Sequence, residues 1–88
     1  MIWMGVIKMF RIRYSKLNRM YYIALDGWYR DRYIAKALNL KYEEYGIIME
    51  KYRAIEIGGC YFFQFEENAQ RTVNGLESIL IMERLIGD

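Results

Sequence analysis

The sequence predicts a small α+β domain with the element order β-β-α-α-β-β-α, two hairpins forming an antiparallel sheet packed against a helix-turn-helix-like pair and a C-terminal helix. Three observations lead there. Residues 7–14 and 20–25 are rich in β-forming side chains, the first run strictly alternating. Residues 33–52 hold two short segments with helical apolar spacing, joined at Asn39-Leu40, and form the hub of the chain. Gly58-Gly59 divides two further β-type runs, and the pair Glu66-Glu67 then opens a long helical pattern. With 88 residues and no proline to mark a linker, the chain is expected to be a single domain over residues 1–88 around one small core. That core draws on aromatic area, since 17% of residues are Phe, Trp or Tyr and each ring buries more surface than an aliphatic side chain.

In the first strand Phe10, Ile12 and Tyr14 share one face, and Met9, Arg11 and Arg13 share the other, so the arginines point to solvent or to a partner. Residues 15–19 are polar and make a turn into the second strand at 20–25. Asp26-Gly27 is a turn signal, followed by Trp28-Tyr29-Arg30 as a linker. Asp31 is expected to cap a helix over 32–38, in which Ile34, Ala35 and Leu38 face inward and Arg32 and Lys36 outward. The second helix, 42–52, is expected to bury Tyr45, Ile48, Met49 and Tyr52 and to leave Glu43, Glu44, Glu50 and Lys51 off that face. Strands follow at 54–57 and 61–65. The run from Cys60 to Phe65 is apolar almost throughout, which predicts a strand covered on both faces at the centre of the sheet. Ala69, Val73, Leu76 and Leu80 then give a helical stripe. Asn74-Gly75 predicts a break in that helix, with a second helical segment through Leu85 and fraying over Ile86-Gly87-Asp88.

Composition excludes more function than it assigns. There is no histidine, which removes Ser-His and Cys-His catalysis and the common zinc sites together. The single cysteine, Cys60, rules out an internal disulfide, fits a reducing compartment and reads as a small buried hydrophobe. The carboxylate pairs Glu43-Glu44 and Glu66-Glu67, with Asp26, lack a partner base, and adjacent helical residues diverge, so they read as solvated faces. Gly58-Gly59 lacks the lysine and following helix of a phosphate loop. The apolar start, residues 1–10, carries Lys8 and fits neither a signal peptide nor a membrane span. No cofactor, no metal and no enzymatic activity are expected.

Charge is divided unevenly. Residues 1–41 carry nine basic and two acidic groups, net +7, and residues 42–88 carry four basic and nine acidic groups, net −5. A basic hairpin interleaved with Tyr14, Tyr21, Tyr22, Trp28 and Tyr29 suits a polyanion, or else its arginines pair with glutamates of the other half, within the monomer or across a homodimer. The helix pair resembles a helix-turn-helix and the glycine hairpin resembles a wing, over residues 31–65. The start of the second helix, however, offers Lys41, Tyr42, Glu43 and Glu44, and paired carboxylates oppose a DNA backbone.

The patterns Ile34-Ala35-Lys36-x-Leu38-x-Leu40, Glu43-Glu44-Tyr45, Lys51-Tyr52-x-Ala54, Tyr61-Phe62-Phe63, Glu67-x-Ala69 and Leu80-Ile81-Met82-x-Arg84-Leu85 resemble small phage and prophage accessory proteins of Gram-positive bacteria. The resemblance implies a non-catalytic protein of the bacterial host's cytoplasm, in a group that includes anti-CRISPR inhibitors acting by stoichiometric binding. The sequence is therefore expected to encode a binding protein that blocks a larger host protein or protein-nucleic-acid complex. Its expected contact surface is Arg11, Arg13, Arg19, Trp28, Tyr29 and Arg30, with Glu43, Glu44 and Ile47 as a second surface. The alternative is a winged-helix-like regulator that touches nucleic acid directly. No membrane contact is expected.

Overall fold

The computed structural model describes residues 9–87, with side chains through Met82. The expected strand residues Ile7 and Lys8, Trp3 and Met4, the side chains of Arg84 and Leu85, and Asp88 lie outside the described residues. The elements are β1 (Phe10–Ser15), β2 (Met20–Leu25), α1 (Asp31–Ala37), α2 (Tyr42–Lys51), β3 (Ile55–Ile57), β4 (Cys60–Phe63) and α3 (Glu66–Gly87). They realise the predicted order, with helices packed on a four-stranded antiparallel sheet ordered β1-β2-β4-β3.

The two hairpins form for different local reasons. In the first, Ser15 Oγ accepts from the Asn18 amide at 3.1 Å and the Arg19 amide returns to the Ser15 carbonyl at 2.7 Å. Arg19 closes that turn at φ +56°. In the second, Gly58 and Gly59 take φ +59° and +84°, the mirror-image turn that matches strand twist and that side chains resist. The hairpins meet where Tyr21 pairs with Phe63 and Tyr22 with Phe62, which puts β4 inside the sheet. All four residues of β4 are buried, as the apolar run predicts, but the strand ends at Phe63, and Phe65, expected within it, is 61% exposed.

Strand alternation then assigns two faces. Phe10, Ile23, Leu25, Tyr61 and Phe63 belong to the core, with Ile12 and Tyr21 packed against it. On the helical side Ile34, Leu38, Tyr45, Met49, Ala69 and Leu76 are fully enclosed. A seven-residue helix such as α1 is too short to persist alone, so burial of Ile34 and Leu38, roughly 1.5–3 kcal/mol each, is what holds it.

Both short helices end on a left-handed residue that is not glycine. Asn39, at φ +59°, lets the Leu40 amide reach back to the Ala35 carbonyl, and Arg53, at φ +66°, does the same for Ala54 and Met49.

Two expectations need correction. Asp31 does not cap α1: Arg30 holds the capping position with no side-chain bond, and Asp31 is the first helical residue, buried in the core. Its carboxylate faces Tyr45 instead of the free amides. Nor does α3 break at Asn74-Gly75, for it runs unbroken over 22 residues through Gly87. Gly75 lies against Tyr52, whose hydroxyl would stand 3.3 Å from an added Cβ, so the glycine serves a close approach inside a continuous helix. Thr72, absent from the expected stripe, is also buried, because its hydroxyl bonds the Asn68 carbonyl one turn back at 2.9 Å.

Candidate functional site

The face of the sheet turned away from the core carries four of the sequence-predicted residues, Arg11, Arg13, Tyr29 and Arg30. Register places Arg11 opposite Ala24, Arg13 opposite Tyr22, Tyr22 opposite Phe62, Ile55 opposite Phe62 and Ile57 opposite Cys60, all by alternation on this outer side. Arg11, Arg13, Ile55 and Ile57 are exposed, whereas Phe62 and Cys60 lie buried as a floor.

Local turn chemistry brings Tyr29 and Arg30 onto the same face. Asp26 and Gly27 take φ +53° and +86°, and Leu25 and Trp28 exchange both backbone hydrogen bonds across them, at 2.7 and 2.9 Å. The Asp26 carboxylate also accepts from the Met9 amide at 3.0 Å, tying the turn to the start of β1. The chain then doubles back, so the Tyr29 ring meets Tyr22 edge to face at 6.0 Å and Tyr22 meets Phe62 at 5.8 Å. Cys60 Sγ lies 3.8 Å from the Tyr29 carbonyl, and the Arg30 guanidinium sits 5.5 Å from the centre of the Tyr29 ring. Ser15, Leu17, Tyr22, Tyr29, Cys60 and Phe62 enclose a concavity of about 310 Å³. Leu17, 91% exposed, is its most accessible wall.

Of the expected first surface, Arg11, Arg13, Tyr29 and Arg30 thus share this face. Arg19 sits at the hairpin turn, and Trp28 turns toward α1, where it stacks on Tyr33 at 5.1 Å. Among the described residues the ion pair is Glu67–Arg71, at 3.8 Å, and none of these arginines has a described carboxylate within 4 Å. The expected second surface is divided. Glu43 and Ile47 are exposed on α2, but Glu44 is committed to capping, its Oε1 accepting from the Lys41 amide at 2.8 Å. Phe62, Cys60 and Leu17 were not singled out by sequence as contact residues. The signal lies in register, since Phe62 faces outward only because it pairs with Tyr22 on a strand distant in sequence.

A second polar cluster lies inside. Asp31 is buried, its Oδ1 accepts from the Tyr45 hydroxyl at 2.9 Å, and its Oδ2 has no hydrogen-bond partner. Burial lifts its carboxyl from an ordinary 3.8 to about 6, aided by the Glu56 charge and opposed by the Tyr45 hydroxyl and the Tyr61 amide. Tyr45 is pushed up in turn by burial and by Asp31. Tyr42, bonded to Glu56 at 2.8 Å, is pushed up by burial and by that carboxylate. Burial also raises the Cys60 thiol, with Asp31 adding and Arg30 opposing, which disfavours the thiolate. Among the described residues no three Cys, Asp or Glu side chains converge to hold a metal ion, and no helix is long and apolar enough to cross a membrane.

These features define the chain as an α+β domain with one aromatic, arginine-edged sheet face. Comparison with protein-family models, curated proteins and solved structures finds no match, so the functional reading rests on the site itself.

Proposed function

We propose that this chain is a non-enzymatic binding protein that occludes a surface of a larger protein or protein-nucleic-acid complex through the outer face of its sheet. The resemblance to phage accessory proteins suggests the manner, stoichiometric inhibition of a host defence component in the bacterial cytoplasm, as anti-CRISPR proteins do. One observation carries the reading: Arg11, Arg13 and Arg30, with no carboxylate partner among the described residues, share the sheet face that holds the aromatic concavity of Tyr22, Tyr29 and Phe62. Interface hot spots combine such components, aromatic anchors with arginine near a desolvated pocket. A complementary partner presents an apolar projection ringed by carboxylates.

The test is co-purification of the tagged protein from host lysates, with the wild type compared with Arg11→Glu/Arg13→Glu. The expected result is one defined large partner that the double variant loses while its circular dichroism is unchanged. A partner retained equally by the variant would overturn the assignment of this face. The winged-helix-like reading has support from α1 and α2, which are joined by a short turn and followed by a β-hairpin. Against it, β4 of that hairpin is an internal strand and not a free wing, and the exposed start of α2 is acidic.

A further inference from the structure

The α1–α2 elbow carries a basic groove that the sheet-face reading does not use. Arg32 and Lys36 stand one helical turn apart on α1, about 6 Å along its axis, and Lys41 immediately precedes the first turn of α2. With Leu40, Tyr42 and Glu44 they line a groove of about 400 Å³. The Arg32 guanidinium is held 4.7 Å from the centre of the Tyr42 ring, which fixes its direction, while Lys36 and Lys41 are exposed. Among the described residues no carboxylate lies within 4 Å of any of these three cations. The one acid in the lining, Glu44, is fixed on the Lys41 amide, and Glu56 nearby is engaged by the Tyr42 hydroxyl. The lining thus holds three cations, Arg32, Lys36 and Lys41, against one carboxylate, Glu44, with Ala35 and Leu40 among its apolar members.

We infer that this groove binds the phosphodiester backbone of a nucleic acid, without reading its sequence. Charge complementarity selects the occupant: the three cations of the lining outnumber Glu44, whose carboxylate is held on the Lys41 amide, so a phosphodiester strand fits the groove although the exposed start of α2 beside it is acidic. The side chains expected to read bases are absent, since the exposed face of α2 beyond the groove presents Glu43 and Ile47. This inference is independent of the sheet face.

Fluorescence anisotropy with a random-sequence duplex of roughly 20 base pairs, titrated from low to physiological salt, tests it. Three phosphate contacts predict a slope of about −3 in log K against log salt. Arg32→Gln/Lys36→Gln/Lys41→Gln is expected to flatten that slope and to weaken binding at least tenfold at low salt. If the triple variant loses its fold, Lys36→Gln, at an exposed side chain, is expected to reduce the slope by about 1. Arg11→Gln/Arg13→Gln is expected to leave the slope unchanged. Absence of duplex binding at low salt, a slope untouched by the groove variants, or a slope abolished by the Arg11/Arg13 variant would each overturn the assignment. So would inorganic triphosphate binding in the groove while the duplex does not, which would make a small polyphosphate the ligand.

Discussion

Asp31 sets the most specific expectation at the scale of one residue. Its carboxylate is buried against Tyr45 from α2 and Tyr61 from β4, it feels the charge of Glu56 from β3, and one of its oxygens is unpartnered. Because its folded value of about 6 exceeds the ordinary 3.8, the folded state binds more protons than the unfolded state between those values. Stability from this group is therefore complete below pH 3.8 and is lost as pH rises through about 6. The difference corresponds to roughly 3 kcal/mol. Asp31→Asn, which keeps an acceptor for Tyr45 but cannot ionise, is expected to be more stable than the wild type at pH 7.5 and nearly equal at pH 4. Urea denaturation across that range checks the sign, and a wild type that gains on the variant with rising pH would contradict it. The chemistry of Asp31 was not legible in the sequence. An acid before a helical run is an ordinary cap, and only the approach of Tyr45, from another helix, turns it into a buried group.

At the scale of elements, the glycine in α2 and the cap after it make opposite predictions. An alanine at Gly46 would place its Cβ 2.9 Å from the Tyr61 hydroxyl, inside a packed core. Alanine improves helix propensity by about 1 kcal/mol. Overpacking costs roughly 1–3 kcal/mol, so Gly46→Ala is expected to lower the thermal midpoint. Adding Tyr61→Phe removes the obstructing oxygen, and the double variant is expected to recover stability relative to Gly46→Ala alone. Additive losses in that cycle would exclude the clash. Arg53, left-handed at φ +66°, pays for the α2 terminus with backbone strain, and Arg53→Gly is expected to raise stability by about 0.5–1 kcal/mol in chemical denaturation. Element existence was legible because alternation, apolar spacing and the Gly58-Gly59 pair are local. The continuity of α3 was not, since Asn74-Gly75 reads as a break until Tyr52 is seen to occupy the space the glycine leaves.

For the molecule as a whole, the sequence revealed the charge imbalance but not its arrangement. Chain order alone does not say that Arg11 and Arg13 share a face with Tyr29, or that Arg32, Lys36 and Lys41 line a groove elsewhere. The first arises from the packing of Tyr29 on Tyr22, opposite Arg13, and the second from the tight turn between α1 and α2. The two basic regions predict separable losses: sheet-face variants are expected to weaken capture of the proposed partner, and groove variants to weaken salt-dependent duplex binding, with the sheet-face variants leaving the salt slope unchanged. The junction of the hairpins, with Tyr21 on Phe63 and Tyr22 on Phe62, has a consequence for folding kinetics. Each hairpin closes through its own short turn, whereas this seam closes only after about forty residues of intervening chain are brought together, a late and entropically costly event. Phe63→Leu at the seam is therefore expected to accelerate unfolding while leaving refolding within about twofold, a low φ-value in stopped-flow measurements. Refolding slowed in proportion to the lost stability would instead place the seam in the folding nucleus.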